Sequence, residues 1–593
     1  MKKIIWSLCL LSAASPAVGL AAFFQTTDDK ASKPSESPVK VNVQGASEEL
    51  ADNLKAFLPS LRNLKCDSPA ERVQRFIDSS HEKLAEGAEA MGYYSAQFNI
   101  TPTRQANCLA LNIAVKAGDP VRVKRVQIDV EGSGKQLPEF QALLAQPPYR
   151  AGDILVHQAY EDFKANLTRT ANNLGFFDAK YVTREIQVDP DTLEAVVQIA
   201  FDTGQRYQVG KVSVEQDVLD DKHLRRYIRV QQGDTYNGEQ LLKQQRILEG
   251  SGYYSDVQVR GQYQQAEQGQ AVPVEIVAQR RKRYSYTGQI GYGTDTGMRT
   301  EAGMEAHWVN QKGHKVTAKG RVGEKEQAVE ATYKVPLWSP EHEYTSFSAG
   351  WQKSDNNDIK SEGFKLGVDY NRRSDDDWQQ TIFINYLDET TQVTGEDETR
   401  SQMALLGGRV KKTKSNDLLF PSEGWQVLAE VKGARKGILS DQNILQGKVQ
   451  GKYLHTFDNQ GKVIAQGSVG STLTDEFDEV PKSLRFFAGG QSSVRGYDFE
   501  SLGETNSSGE VIGGKHVITS SLEYEHPVAD KISAAAFVDA GNAFDDTANL
   551  TMKVGAGVGA RYKSPLGPIR LDVAVPKDKQ SDVHFYFSLG PDL

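Results

Sequence analysis

The sequence predicts three α+β repeats followed by a 16-stranded antiparallel transmembrane β-barrel. Gly92-Tyr93-Tyr94, Gly175-Phe176-Phe177 and Gly252-Tyr253-Tyr254 recur about 80 residues apart, each between a helical pattern and an alternating stretch. From Tyr284 onward Gly, Tyr, Phe and Thr alternate with polar residues in sixteen segments of about ten to thirteen residues. Beyond the N-terminal segment no run of 18 apolar residues occurs, and mean hydropathy is −0.52. That excludes helical membrane spans, yet it suits strands whose side chains alternate between lipid and lumen.

The N-terminus reads as a secretory signal peptide over residues 1–22. Lys2 and Lys3 precede the apolar run Ile4 to Ala14, and small residues surround Ala17-Val18-Gly19 and Leu20-Ala21-Ala22. Trp6-Ser7-Leu8 before Cys9 lacks the small residue that a lipid-anchoring site needs next to its Cys. Cleavage removes Cys9 and leaves Cys66 and Cys108 in an oxidising compartment, which predicts a disulfide, with two buried thiols as the alternative. Residues 23–38 form a polar linker rich in Ser, Asp, Lys and Pro. The net charge of −9 and the lack of a long basic tract argue against nucleic acid as a partner.

The repeats are placed at 39–119, 120–206 and 207–283. In the first, Ser68-Pro69-Ala70-Glu71 predicts a capping box, and Val73, Phe76, Ile77, Leu84, Ala88 and Met91 fall on one helical face. Gly92 ends that helix, and the aromatic pair is expected to begin a strand. Tyr160, Phe163, Leu167, Ala171 and Leu174 form the matching face in the second repeat, and Leu241, Leu242, Ile247 and Leu248 in the third. Each repeat opens with a strand, at Val39 to Val43, Val121 to Val130 and Val209 to Val214.

The barrel is placed at 284–593. An even strand number puts both chain ends on one side, the side to which the repeats are attached. The tight turns Asp458-Asn459-Gln460-Gly461 and Ser564-Pro565-Leu566-Gly567 then fall on that side, and the long loops 353–363, 388–398 and 475–513 on the other. Trp308, Trp338, Trp378 and Trp425 lie at strand ends on the repeat side, as an interfacial girdle would.

One loop of roughly forty residues is too long for an ordinary hairpin connection. It carries Val494, Arg495, Gly496 and Tyr497, and the strands that follow carry Glu523 and Asp539. A charge inside a barrel needs a partner, so the loop is expected to fold inward as a lid locked by an Arg495 ion pair. An exposed loop with an arbitrary Arg is the plain alternative. At the barrel's ends, Gly288, Gly291 and Gly293 in the first strand and Gly590-Pro591 after Phe585 and Phe587 in the last predict a weakly closed lateral seam. Ordinary strand termini would explain the same residues.

Strand, helix, helix, strand, strand resembles the POTRA domain in all three repeats. Arg485-Phe486-Phe487-Ala488-Gly489-Gly490, Val494-Arg495-Gly496-Tyr497, Phe537-Val538-Asp539-Ala540-Gly541, Asp417 to Gly424 and Gly559 to Pro568 resemble the BamA/TamA superfamily of POTRA-barrel proteins. Three repeats and a short chain are most similar to its TamA branch, outer-membrane subunits of the translocation and assembly module. The resemblance implies an outer-membrane barrel with periplasmic POTRA domains and no cofactor, metal or enzymatic activity. Its implied partners are a TamB-like inner-membrane-anchored periplasmic protein, unfolded outer-membrane protein clients such as autotransporters, and outer-membrane lipid. A two-partner secretion channel is the alternative, but such channels have two POTRA repeats behind a plugging helix. A passive porin would need neither repeats nor lid. No enzyme motif is met: His81-Glu82 lacks a second His at Ala85, and no Gly-x-Ser-x-Gly occurs.

Overall fold

The computed structural model describes residues 39–105, 108–266, 271–293, 297–356, 358–565, 567–579 and 581–589. The signal peptide, the linker and Gly590-Pro591 lie outside the described residues. The chain divides into two compact units, up to Arg206 and from Tyr207 onward.

The first unit holds two repeats of one topology. Lys40–Gln44 runs parallel to Cys108–Lys116, which pairs antiparallel with Gln97–Gln105. Helices Glu48–Phe57 and Ala70–Ala90 connect the strands. In the second repeat Arg122–Glu131 runs parallel to Glu194–Asp202, which pairs with Lys180–Asp189, and helices Pro138–Leu144 and His157–Asn173 intervene. The parallel pair follows from the long helical crossover between its members. The central strand Glu194–Asp202 buries every second residue, Ala195, Val197, Ile199 and Phe201, against Tyr160, Phe163 and Leu167 of the helix. Val73, Ile77, Leu84 and Ala88 do the same in the first repeat, and Cys66 is bonded to Cys108.

Three local expectations are corrected. The long helix of the first repeat begins at Ala70 with Pro69 as its uncapped N-cap, and the Ser68 hydroxyl instead accepts from the Lys65 amide at 2.8 Å. The aromatic pair opens a strand only in the third repeat, at Tyr254; in the first two a turn intervenes before Gln97 and Lys180. Phe176 still packs back into its core. In the third repeat Leu242 is exposed, and Gln244 is fully buried on the inner face. Its side chain accepts from the Arg229 amide at 2.6 Å and donates to the Tyr227 carbonyl at 3.0 Å, so a polar residue satisfies a loop that Leu could not.

The second unit joins the third repeat to the barrel. Gln208–Glu215, Ala271–Arg280 and Tyr254–Gly261 form its small sheet. The Tyr253 hydroxyl donates to the Gly313 carbonyl at 2.7 Å, and Arg229 pairs with Glu341 at 2.6 Å, so the repeat is bonded to two of the barrel's turns.

The barrel sheet has sixteen strands in sequence order, from Tyr284–Gly293 to His584–Leu589. Lipid-side apolar residues alternate with inward ones: Leu522, Val538 and Leu571 are exposed, whereas Glu523, Asp539 and Asp572 are buried. Two outer loops are shorter than expected because their strands run on, Glu343–Asp355 to Ile359–Arg373 and Gln379–Val393 to Thr399–Ser415. Among the described residues, which end at Leu589, the sixth to eighth strands have 15, 15 and 17 residues, and the last has six.

Two expectations concern the first unit. The bridge between Cys66 and Cys108 spans 42 positions, so C66A/C108A should lower the stability of the first repeat by up to roughly 4 kcal/mol in the chain-entropy model, read as a fall in urea midpoint. Burial holds the His157 imidazole below its ordinary value of 6.5, against the weaker pull of Glu89 and Glu161, and its ring accepts or donates to the Tyr94 hydroxyl at 2.7 Å. A depressed value means the unfolded chain binds the extra proton first. This stabilisation is therefore full above 6.5 and lost as pH falls through the folded value. Amide protection factors in His157–Asn173, corrected for intrinsic exchange, should fall on acidification, and H157Q should flatten that response.

Candidate functional site

Charged side chains survive at membrane depth only where they face the lumen and find partners. Period-two alternation supplies such positions on neighbouring strands: Ser521, Glu523 and Glu525 on His516–Ala529, Asp539 on Ile532–Phe544, Arg561 on Lys553–Ser564 and Asp572 on Gly567–Pro576. The connection between Lys462–Thr474 and His516–Ala529 folds onto this patch. Its Val494 is fully buried and its Arg495 is 6% exposed.

Arg495 spends its donors on four neighbours. Its amide and Nε donate to Asp539 Oδ2 at 3.0 and 2.7 Å, and Nη2 donates to Asp539 Oδ1 at 3.0 Å. Nη1 donates to Glu523 Oε2 at 2.7 Å and Asp572 Oδ2 at 3.3 Å, and Nη2 also reaches Ser521 Oγ at 3.2 Å. The guanidinium lies 3.4 Å from the centroid of the Phe537 ring, which Gly557 makes room for. Arg561 supplies the second cation, donating to Glu523 and Asp572 at 2.5 Å and to Glu525 at 2.9 Å. Each carboxylate thus meets at least one guanidinium.

Glycine lets the lid come this close. A Cβ on Gly555 would stand 1.8 Å from the Arg495 carbonyl oxygen, and Gly496 has φ +97° with Pro576 N 3.0 Å from its Cβ position. The lid tip also reaches the last strand. The Gly496 amide donates to Tyr586 Oη at 2.9 Å, and that hydroxyl donates to the Tyr497 carbonyl at 3.0 Å. Tyr497 Oη in turn donates to Asp578 at 2.7 Å.

A second anchor sits across the lumen. Lys482, 5% exposed, donates to Ser354 Oγ at 2.9 Å and pairs with Glu500 at 3.5 Å, while Arg485 donates to the carbonyls of Val480 and Asp478 at 2.7 Å. Phe477, Val480 and Leu484 pack against Met403, Leu405 and Ile444. The lid therefore bonds to both walls.

The structure brings Arg495, Glu523 and Asp539 together with Val494, Gly496 and Tyr497. Sequence reasoning missed Arg561, Asp572, Ser521 and Tyr586. A signal existed: each of the two charged residues stands between apolar or aromatic lipid-side neighbours, which marks a lumen position.

At the seam, Gly288, Gly291 and Gly293 lie in the first strand opposite Ala302, Arg299 and Gly297. Phe585 and Phe587 pair with Val573 and Leu571 at the other edge. Among the described residues no ladder joins first strand to last, although the two run alongside one another. Among the described residues, which end at Leu589, six of the last strand are paired.

Comparison with known proteins places these features. Residues 310–592 match the Omp85 superfamily domain, residues 40–117 the POTRA domain TamA domain 1, and residues 207–279 the POTRA model described as surface antigen variable number repeat. The chain is 30% identical over 133 residues to outer membrane protein assembly factor BamA of Nitratidesulfovibrio vulgaris, covering 20% of this chain and 17% of that protein. It is 24% identical over 191 residues to the BamA of Neisseria meningitidis, covering 29% and 24%. It thus spans less than a quarter of either relative's length. The crystal structure of Haemophilus ducreyi BamA lacking POTRA domains 1–3 superposes with a TM-score of 0.68 at 19% identity, over 79% of this chain and 99% of that one. At that identity the likeness shows the fold.

Removing one partner of a buried pair costs roughly 3–5 kcal/mol. Arg495→Ala should release the lid by about that much, seen as proteolytic cleavage within residues 486–502 while heat-modifiable gel mobility shows the barrel intact. Gly555→Ala should release it too, with every charge still present.

Proposed function

We propose that this Omp85-superfamily chain with POTRA domains assembles or translocates outer-membrane proteins by offering client β-strands the seam between its first and last barrel strands. The protein is an outer-membrane one with its POTRA domains in the periplasm, so unfolded clients would reach it from the POTRA side. The observation that carries the reading is the missing ladder between Tyr284–Gly293 and His584–Leu589 among the described residues. Backbone groups at membrane depth must find partners, and an open edge there is a template for an incoming strand.

The POTRA sheets support a delivery role. Each has an outer antiparallel strand at the sheet edge, Gln97–Gln105, Lys180–Asp189 and Tyr254–Gly261, to which an extended chain can add by main-chain hydrogen bonds. The lid supports a gating role, because Tyr586, on the seam strand itself, is bonded to Gly496 and Tyr497. A docked lid holds the seam strand by its inner face. The match of residues 40–117 to the TamA-type POTRA model favours the TamA branch. A TamB-like inner-membrane-anchored partner and a part in phospholipid transport accompany that reading.

A disulfide engineered between the first and last strands should abolish client insertion in reconstituted membranes, and reduction should restore it. The same lock between two mid-barrel strands should have no effect. Normal client assembly by the seam-locked protein would rule out lateral opening.

A further inference from the structure

Four consecutive cations, Arg280, Arg281, Lys282 and Arg283, link the last strand of the third repeat to the first barrel strand, and all four are exposed. With Trp308 they line a cavity of about 440 Å³. Their charge is poorly balanced. Arg280 meets Asp217 at 3.2 Å, both of them exposed, and no carboxylate bridges Arg281 or Lys282 among the described residues. Arg283 is committed to holding the adjoining turn: Nε donates to the Trp308 carbonyl at 3.1 Å and Nη2 to the Val309 carbonyl at 3.0 Å. Its guanidinium also lies 5.6 Å from the centroid of the Tyr284 ring. The cavity is therefore built by Arg283 and left positive by its three neighbours.

Depth decides the ligand. Tyr284, Tyr286 and Ile290 project outward from the first strand, 46%, 75% and 79% exposed, so the lipid-facing surface starts one residue after Arg283. Trp308 and the outward Trp338 stand at turns on the same side, where indole rings mark the headgroup level. We propose that Arg280, Arg281 and Lys282, with Trp308, bind the phosphate of an anionic phospholipid in the periplasmic leaflet beside the seam. A free inorganic anion would satisfy the cations but leave the indole and the outward tyrosines without an acyl chain. The proposal rests on the outer-membrane reading and is independent of strand insertion.

Each basic residue near an anionic surface is worth about a fivefold gain in binding. The test uses full-length protein in nanodiscs of mixed phosphatidylglycerol and phosphatidylcholine, followed by native mass spectrometry of retained lipid. R280Q/R281Q/K282Q should lose phosphatidylglycerol retention by at least about tenfold, whereas K531Q/K563Q, at a turn and a strand end on the same side, should change it less than about twofold. R281K/K282R, which keeps charge, should retain it. Heat-modifiable mobility checks that each barrel is folded, and R281Q alone serves if the triple variant is not. Unchanged retention in a folded variant, or displacement of the lipid by millimolar inorganic phosphate, would overturn the proposal. A failed seam lock would leave this result untouched.

Discussion

Arg495 sits where water cannot solvate it, and the upper half of the barrel is organised to make that tolerable. A guanidinium moved from water into a barrel lumen loses several kcal/mol of hydration, recovered only by close carboxylates with their own lone pairs filled. Asp539, Glu523 and Asp572 provide them, and Arg561 bridges Glu523 and Asp572 so that those two acids do not repel one another. The glycines at 555, 557 and 559 follow from the same constraint. Side chains there would collide with the lid backbone, the Phe537 ring or the Asp572 carboxylate.

Much of this was legible in the sequence, and the reasons differ from element to element. Strand alternation exposed the barrel because lumen charges such as Glu523, Asp539 and Asp572 each lie between apolar or aromatic neighbours, Glu523 between the outward Leu522 and Tyr524. The Arg495 lock was legible because a cation at the tip of a long inward loop demands acids nearby. Asp572 and Arg561 escaped because they lie 77 and 66 positions away along the chain, and only closing the sheet brings their strands beside the lid. Tyr586 escaped for another reason: an aromatic in the last strand reads as membrane-facing until strand parity turns it inward. The Leu242 error has a similar origin, since helical periodicity cannot reveal that loop amides need Gln244 more than the core needs another Leu.

Rigid and weak parts are set side by side in the second unit. The third repeat is bonded to the barrel's turns through Tyr253 and Arg229, and the lid to both walls through Arg495 and Lys482. Among the described residues, which end at Leu589, the seam strand His584–Leu589 is the shortest of the barrel. Deformation would concentrate where the fewest hydrogen bonds must break, so under the proposed lateral opening a stiff surround would confine the movement to that edge.

The lid's contacts also bear on how the chain acquires its shape. Arg495 bonds to residues 28, 44 and 77 positions later, and Gly496 to one 90 positions later. Such distant partners make seating the lid a late event, because loop closure must be met before any of these bonds forms. The segment leaves the ribosome before its socket exists. Until Tyr586 and Asp572 have taken their places, it has nowhere to dock, and a seated lid is the mark of a barrel whose C-terminal strands have already arrived.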